Sequence, residues 1–355
     1  MQIQVDTFTV HKRFALTISR GTTSTSTNLW LRLRADGLEG WGEAAPFSIG
    51  DHCQTTDDLT AGLARLAPLL QERSPLELVA IEQAMDQVAL PSAARAALDM
   101  ARHDWIGKRI GLPIWHLWGG DRHQIPPTSV TIGISSPEAA QQRLQHWLQS
   151  APVGAVKVKL GNADGLDADQ AMFAALKAIA PPGLKWSVDA NGGWSLADAL
   201  TMSPWLAERG VTYLEQPLDA GQEADLPMLY ERSPLPIFVD ESCFTSADIP
   251  ALADRVHGIN IKLMKSGGLT EALRMVHTAR ACGLQIMLGC YSDSSLSNTA
   301  AAQLAPFATH LDLDSHLNLV DDPFVGATLT AGILSPNDQP GLGVERSPLV
   351  DLAIA

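Results

Sequence analysis

Charged residues recur where this sequence should be apolar. Lys157 and Lys159 lie in AVKVKL, Asp189 and Asn191 end KWSVDAN, and Glu215 follows VTYL. Asp240 and Glu241 follow PIFV, Lys262 and Lys265 lie in GINIKLMK, and Asp312 and Asp314 lie in THLDLD. A strand buried on both faces reads as a nearly continuous apolar run, so charges at the C-terminal ends of such runs mark a site. Asp189, Glu215 and Asp240 come from three successive runs, and their carboxylates are expected to converge. Converging carboxylates repel one another unless a cation sits among them. Oxygen donors without Cys or His favour Mg²⁺ over Zn²⁺. Asn191 is expected to support these ligands through its amide, and Glu241 to partner them from behind. Lys157 and Lys159, two apart, share one face. Lys262 lies four runs further on, across the mouth of an eight-stranded barrel. A lysine beside other cations gives up its proton more readily and becomes a base near neutral pH. Two lysines on opposite faces of a bound carbon can remove a proton from one side and return it from the other, which is racemisation or epimerisation. Lys265 competes with Lys262 for that role, and an in-strand position favours Lys262.

The elements that must hold these residues follow a regular spacing. Eight β-type runs start at Thr128, Ala155, Lys185, Val211, Pro236, Gly258, Gln285 and Thr309, at intervals of 22 to 30 residues, each followed by a helical stretch. Repeated βα units imply parallel strands with right-handed crossovers, and eight of them close into a (β/α)₈ barrel. An open doubly wound sheet is the alternative, but no GxGxxG follows the first strand. Ahead of the barrel, Phe14 to Ile18 and Asn28 to Leu33 read as strands, with a turn at Asp36-Gly37. The segment Gly21 to Thr27, GTTSTST, reads as a mobile loop or a simple connection. From Thr56 to about Gly107 the pattern is helical, with Leu59, Leu63, Leu66 and Leu70 at steps of 3 and 4 and an Ala-rich helix from Ala93 to Trp105. Strands followed by helices indicate an α+β unit. The expected fold is α/β: a (β/α)₈-type barrel over 121–320, with an N-terminal α+β capping domain over 1–120 completed by the C-terminal tail, 321–355.

VKVKLG, SVDANGGW, LEQPL, FVDES and NIKLMKSGG resemble the enolase superfamily, in its muconate lactonizing subgroup, and the resemblance spans essentially the whole chain. It implies chemistry that starts by abstracting a proton α to a carboxylate, with one Mg²⁺ stabilising the enediolate. On these positions it implies Asp189, Glu215 and Asp240 as metal ligands, Lys159 and Lys262 as the acid/base lysines, and Lys157 as the group holding the substrate carboxylate. The subgroup contains muconate cycloisomerases, o-succinylbenzoate synthases and dipeptide epimerases. Asp312 and Asp314 decide among them: such a pair repels a dianion but holds an ammonium by charge-assisted hydrogen bonds. The pair resembles the one that binds the substrate amine in dipeptide epimerases, and Thr131 matches another of their substrate contacts. Further substrate contacts are implied at Arg20, which can pair with an acidic side chain as in the Ala-Glu epimerases, and at Cys290, Ser292 and Asp293 after the seventh strand. Asp293 can attract a cationic side chain or cap the next helix. No single charge dominates, so a hydrophobic or broad side-chain preference is expected. The expected function is a Mg²⁺-dependent dipeptide epimerase inverting the α-carbon of the C-terminal residue. The alternative is a cycloisomerase or dehydratase of the same superfamily acting on an acid without an amine.

Composition narrows the field from the other side. Of 355 residues, 39 are Asp or Glu and 25 are Lys or Arg, a net charge of −14. That balance opposes binding to phosphate backbones or anionic membranes. The N-terminal segment does not read as a secretory signal, and no run approaches a membrane span. Cys53, Cys243, Cys282 and Cys290 are scattered, without CxxC spacing, as in a reduced cytoplasmic protein. No HExxH or GxxxxGK[ST] motif is present, which disfavours zinc hydrolases and nucleotide chemistry. A non-enzymatic barrel is disfavoured too, because idle buried charges are expensive. The expected partner is a small dipeptide, with self-association possible and neither nucleic acid nor membrane involved.

Overall fold

The computed structural model describes residues 1–348. The final stretch of the tail, 349–355, lies outside the described residues. The chain opens with two long antiparallel strands, β1 (Gln2–Ile18) and β2 (Gly21–Ala35), joined to β3 (Leu38–Ala44) in a sheet of order β1-β2-β3. Asp36 and Gly37 turn β2 into β3 with positive φ at both positions, as a two-residue hairpin turn requires. The segment Gly21 to Thr27 is not a loop. It is the first half of β2, where Thr22, Thr23, Thr25, Ser26 and Thr27 pair with Thr17, Leu16, His11, Val10 and Thr9. The chain reverses at Ser19-Arg20 instead. β-Branched threonines suit extended backbone, and the polarity that suggested a loop reflects the exposure of this end of the sheet.

A short hairpin, β4 (Phe47–Ile49) and β5 (His52–Gln54), leads into α1 (Thr56–Leu70), α2 (Leu78–Gln87) and α3 (Ser92–Ile110). Leu59, Leu63, Leu66 and Leu70 bury one face of α1, whose start is fixed by a Thr55/Asp58 capping box. The small residues of α3 let the sheet approach closely. A β-carbon at Gly42 would lie 1.9 Å from the Ala97 carbonyl oxygen, so Gly40 and Gly42 are required by packing.

The barrel strands are β6 (Ser129–Ile132), β7 (Ala155–Lys159), β8 (Lys185–Asp189), β9 (Val211–Glu215), β10 (Ile237–Val239), β11 (Gly258–Ile261), β12 (Gln285–Gly289) and β13 (His310–Asp312). They form one parallel sheet in chain order, and a bridge between Thr128 and Leu311 joins its two edges. Lys262, expected within a strand, lies one residue past β11, at the entry to a four-residue helix (Leu263–Ser266) that contains Lys265. The barrel strands are short, so several of the charged residues sit in the first positions after them. After the barrel, Phe324–Val325 pairs with Glu345–Arg346, and Phe324 packs edge-on against Phe8 and Trp30 of the first sheet at 5.5 Å. Among the described residues no helix is long and apolar enough to cross a membrane, and all four cysteines are free.

Candidate active site

Parallel register brings the charged strand ends together. Lys159 of β7, Asp189 of β8 and Glu215 of β9 are successive neighbours across the sheet. Lys159 Nζ lies 2.6 Å from Asp189 Oδ2. Lys157 Nζ reaches Glu215 Oε2 at 2.6 Å, Asp312 Oδ2 at 2.7 Å and Asp189 Oδ2 at 3.2 Å. On the far side, Lys262 and Lys265 each hold one Asp240 carboxylate oxygen at 2.6 Å. Asn260 donates to Glu215 Oε1 at 2.7 Å.

These lysines fall into two pairs. Lys159 and Lys262 are each 6% exposed, and both line a cavity of about 550 Å³ between the barrel mouth and the β1–β2 hairpin. Lys157 and Lys265 are sealed beneath it, at 0% and 1%. Three buried carboxylates hold the ammonium of Lys157, the residue that the resemblance assigns to the substrate carboxylate. Lys262 departs from expectation. Burial pushes its ammonium down, but Asp240 and other acidic neighbours outweigh burial and hold it well above the usual lysine range. Carboxylates, not cations, dominate its surroundings in this arrangement.

The donor set suits a hard divalent cation in type and charge. Asp189, Glu215 and Asp240 are fully buried and supply only oxygen. Burial, then the charges of Asp189 and Asp240, push the Glu215 carboxyl up to about 7. Asn191 Oδ1 and Glu241 Oε2, beside them, are buried acceptors without a hydrogen-bond partner. As they stand, the carboxylates turn onto lysines, and among the described residues no three His, Cys, Asp or Glu side chains form a ready-made ligand set. The ammonium groups occupy the role of counter-ion.

Asp312 and Asp314 meet around Thr131. Thr131 donates its backbone N–H to Asp314 Oδ2 at 2.6 Å, and its hydroxyl lies 3.4 Å from Asp312 Oδ1. Ser129 also donates to Asp312 Oδ1, at 2.6 Å. Burial and the Asp312 charge push the Asp314 carboxyl up to about 6, the signature of a pair that a cation would relieve.

Residues 2–119 match the mandelate racemase / muconate lactonizing enzyme N-terminal domain, and residues 139–349 match the enolase C-terminal domain-like family. The chain belongs to this family. A hydrophobic dipeptide epimerase from Roseobacter litoralis is 44% identical over 97% of this chain and 98% of its own length. Another from a Flavobacteria bacterium is 43% identical over 94% and 95%. In three dimensions, a dipeptide epimerase from Enterococcus faecalis, solved with Mg and L-Leu-L-Tyr, superposes with a TM-score of 0.90 at 29% identity, over 97% of this chain and 98% of that one.

Within this family architecture, the remaining sequence-predicted contacts divide. Arg20 is not free to pair with an acidic substrate side chain: its guanidinium holds Glu241 at 2.7 Å and donates to the Asn191 carbonyl at 2.8 Å. Glu241 thus bridges Arg20 and the Asn191 amide, which donates at 3.2 Å to both Glu241 and Asp189. Cys290, turned to the Asp312 carbonyl at 3.2 Å, and Ser292 line the cavity. Asp293 is buried behind the cavity lining, where Lys262 and Lys12 act on its charge, and Ser294, not Asp293, caps the next helix (Ser295–Ala302).

Three contributors escaped the sequence reading. Phe47 stacks on Tyr291 at 4.8 Å, and the Lys262 ammonium sits 4.6 Å from the Tyr291 ring centroid. Lys12, on β1, donates to Ser292 Oγ at 2.6 Å. Glu43, on β3, accepts from the Ser294 N–H at 3.0 Å, the Ser297 N–H at 3.0 Å and Asn28 at 2.7 Å, tying the first sheet to the barrel. Its only sequence signal is a lone acid in GWGEAA that strand alternation turns inward.

Proposed function

We propose that this chain is a Mg²⁺-dependent dipeptide epimerase that inverts the α-carbon of the C-terminal residue, with a preference for hydrophobic side chains. The observation that carries the reading is that Lys159 and Lys262, four strands apart, line one cavity. Asp189, Glu215 and Asp240 would hold Mg²⁺, with Asn191 and Glu241 supporting them and Lys265 fixing Asp240. When bound, the cation supplies positive charge that stabilises the negative charge developing on the substrate carboxylate. Lys157 anchors the carboxylates from below and, once Asp312 turns to substrate, is available to the substrate carboxylate.

Lys159 and Lys262 face the reacting carbon from opposite sides. One breaks the C–H bond by taking the proton, and the other returns a proton to the opposite face. Each lysine needs its carboxylate partner, Asp189 or Asp240, engaged elsewhere before it can act as a base. Asp312 and Asp314, oriented by Thr131, hold the α-ammonium through charge-assisted hydrogen bonds. A cycloisomerase acting on an amine-free acid has no use for that pair. Leu16, Ile18, Phe47 and Tyr291 offer an apolar wall to the side chain. The division into a capping unit, 1–120 with 321–355, and a catalytic barrel, 121–320, belongs to the same reading, as does a cytoplasmic enzyme.

The test is mass spectrometry of an L-X-L-Y dipeptide library incubated with the protein and Mg²⁺ in D₂O. The expected result is a gain of one deuteron at the second residue's α-carbon, fastest with apolar side chains. No exchange in any dipeptide would overturn the reading.

A further inference from the structure

Four cations line the cavity, namely Lys12, Arg20, Lys159 and Lys262, and no carboxylate does. Three of them are neutralised at short range. Arg20 has Glu241 at 2.7 Å, Lys159 has Asp189 at 2.6 Å, and Lys262 has Asp240 at 2.6 Å. Lys12 differs. Its ammonium donates to the neutral Ser292 hydroxyl at 2.6 Å, and among the described residues no carboxylate lies within ion-pair distance of it. Asp293, the residue after Ser292, is buried behind the cavity lining and attracts Lys12 without an ion-pair contact.

The position of Lys12 is imposed rather than incidental. β1 loses its pairing with β2 between His11 and Leu16, and there the chain is held by the segment that follows β13. Lys12 forms a bridge with Leu319, the Val320 N–H donates to the His11 carbonyl at 3.0 Å, and the His11 N–H donates to Asp321 at 2.8 Å. That clamp aims the lysine at Ser292, over the cavity that also holds Lys262 and the Phe47–Tyr291 stack. Burial lowers the Lys12 ammonium to about 8, against the pull of Cys290 and Asp293, so it remains mostly charged at neutral pH.

We propose that Lys12 sets the charge selectivity of this cavity, excluding dipeptides that carry a cationic side chain there. The inference rests on the epimerase reading and names a determinant of its substrate class. An apolar side chain meets the aromatic and aliphatic walls at no electrostatic cost. A lysine or arginine side chain meets an ammonium whose hydrogen-bond partner is a neutral hydroxyl and whose charge the buried Asp293 offsets only in part. Two unit charges about 10 Å apart at an effective dielectric of about 20 disfavour binding by roughly 10-fold. An acidic side chain suffers no such penalty.

The experiment compares L-Ala-L-Lys with L-Ala-L-norleucine, close in shape and different in charge, by deuterium exchange in D₂O. The readout is the ratio of their kcat/KM values in the wild type, Lys12→Met and Lys12→Arg. The expected result is a Lys-to-norleucine ratio that rises roughly 10-fold in Lys12→Met and stays at the wild-type value in Lys12→Arg. A merely structural role for Lys12 would lower both substrates together and leave the ratio alone. An exchanging Lys12→Met enzyme with the wild-type ratio overturns the assignment and leaves the epimerase reading standing. A wild type that exchanges no dipeptide overturns that reading, and the gate with it.

Discussion

On the barrel side of the cavity, every ammonium meets a carboxylate at about hydrogen-bond length, whereas the cap side offers threonines, apolar side chains, Arg20 tied to the barrel's Glu241, and Lys12 bound to a neutral hydroxyl. The barrel groups are fully or almost fully buried, and buried charges are stable only when paired. Parallel register supplies those pairs, because neighbouring strands end at one level. The cap hairpin faces the same cavity from an antiparallel sheet whose polar end is half solvated. It can carry neutral or singly charged residues without a partner. Chemistry is thus fixed on the rigid wall, and selection is placed on the wall that tolerates change.

The sharpest way to break this contrast is to remove a paired lysine. Lys159→Ala or Lys262→Ala should lower epimerisation by about 10³-fold, the range expected for losing a general acid/base, while circular dichroism reports an intact fold. Removing Mg²⁺ with a chelator should also reduce turnover to background, and adding Mg²⁺ back should restore it. Retained activity after exhaustive chelation would contradict the role given to the three carboxylates.

Smaller effects follow from residues at the edge of the network. Asp314→Asn keeps an oxygen to accept the Thr131 N–H but loses the charge offered to an ammonium. It should raise KM for dipeptides by about 10-fold with kcat nearly kept, the size of one charge-assisted hydrogen bond. On the cap side, Phe47→Leu removes the stack on Tyr291 while keeping an apolar wall. It should cost bulky apolar dipeptides roughly 5-fold in kcat/KM and L-Ala-L-Ala little, in line with the modest worth of an aromatic pair.

The smallest effect belongs to the seam between the two walls. Burial, then the charge of Asp293, raise the Glu43 carboxyl from 4.5 to about 8. The folded protein therefore keeps a proton there that the unfolded chain releases above about pH 4.5. Its stabilising contribution is complete below that pH and is lost as pH climbs toward about 8. Glu43→Gln should flatten this decline, seen as a smaller difference in Tm between pH 5 and pH 8. An unchanged difference would mean that Glu43 is ionised in the folded state.

The barrel was legible because strands buried on both faces write themselves as apolar runs, so the charges at their ends stand out. Lys159, Lys262, Asp189, Glu215 and Asp240 could be found without knowing any contact. What the runs do not encode is which charge meets which. Lys157 looks equivalent to Lys159 in sequence, yet closure of the barrel brings β13 and Asp312 to it and seals it. Arg20 reads as a free cation, and only the reversal at Ser19-Arg20 delivers it to Glu241. Gly21 to Thr27 imitates a loop because an exposed strand and a loop share the same small polar residues. Lys12 was hidden for a similar reason: in HKRF it is one charge among several, and the clamp that aims it comes from residues about 300 positions away.

The central claim is that two lysines serve opposite faces of one carbon, and proton NMR of single epimers in D₂O tests it most directly. L,L and L,D forms of one apolar dipeptide are incubated separately with Lys159→Ala and with Lys262→Ala, each in the presence of Mg²⁺. The account predicts complementary behaviour: each variant exchanges the α-proton of one epimer only, a different epimer in each, and neither interconverts the two. If either variant exchanges both epimers, or both variants exchange the same one, a single base does the work and the two-lysine account is wrong.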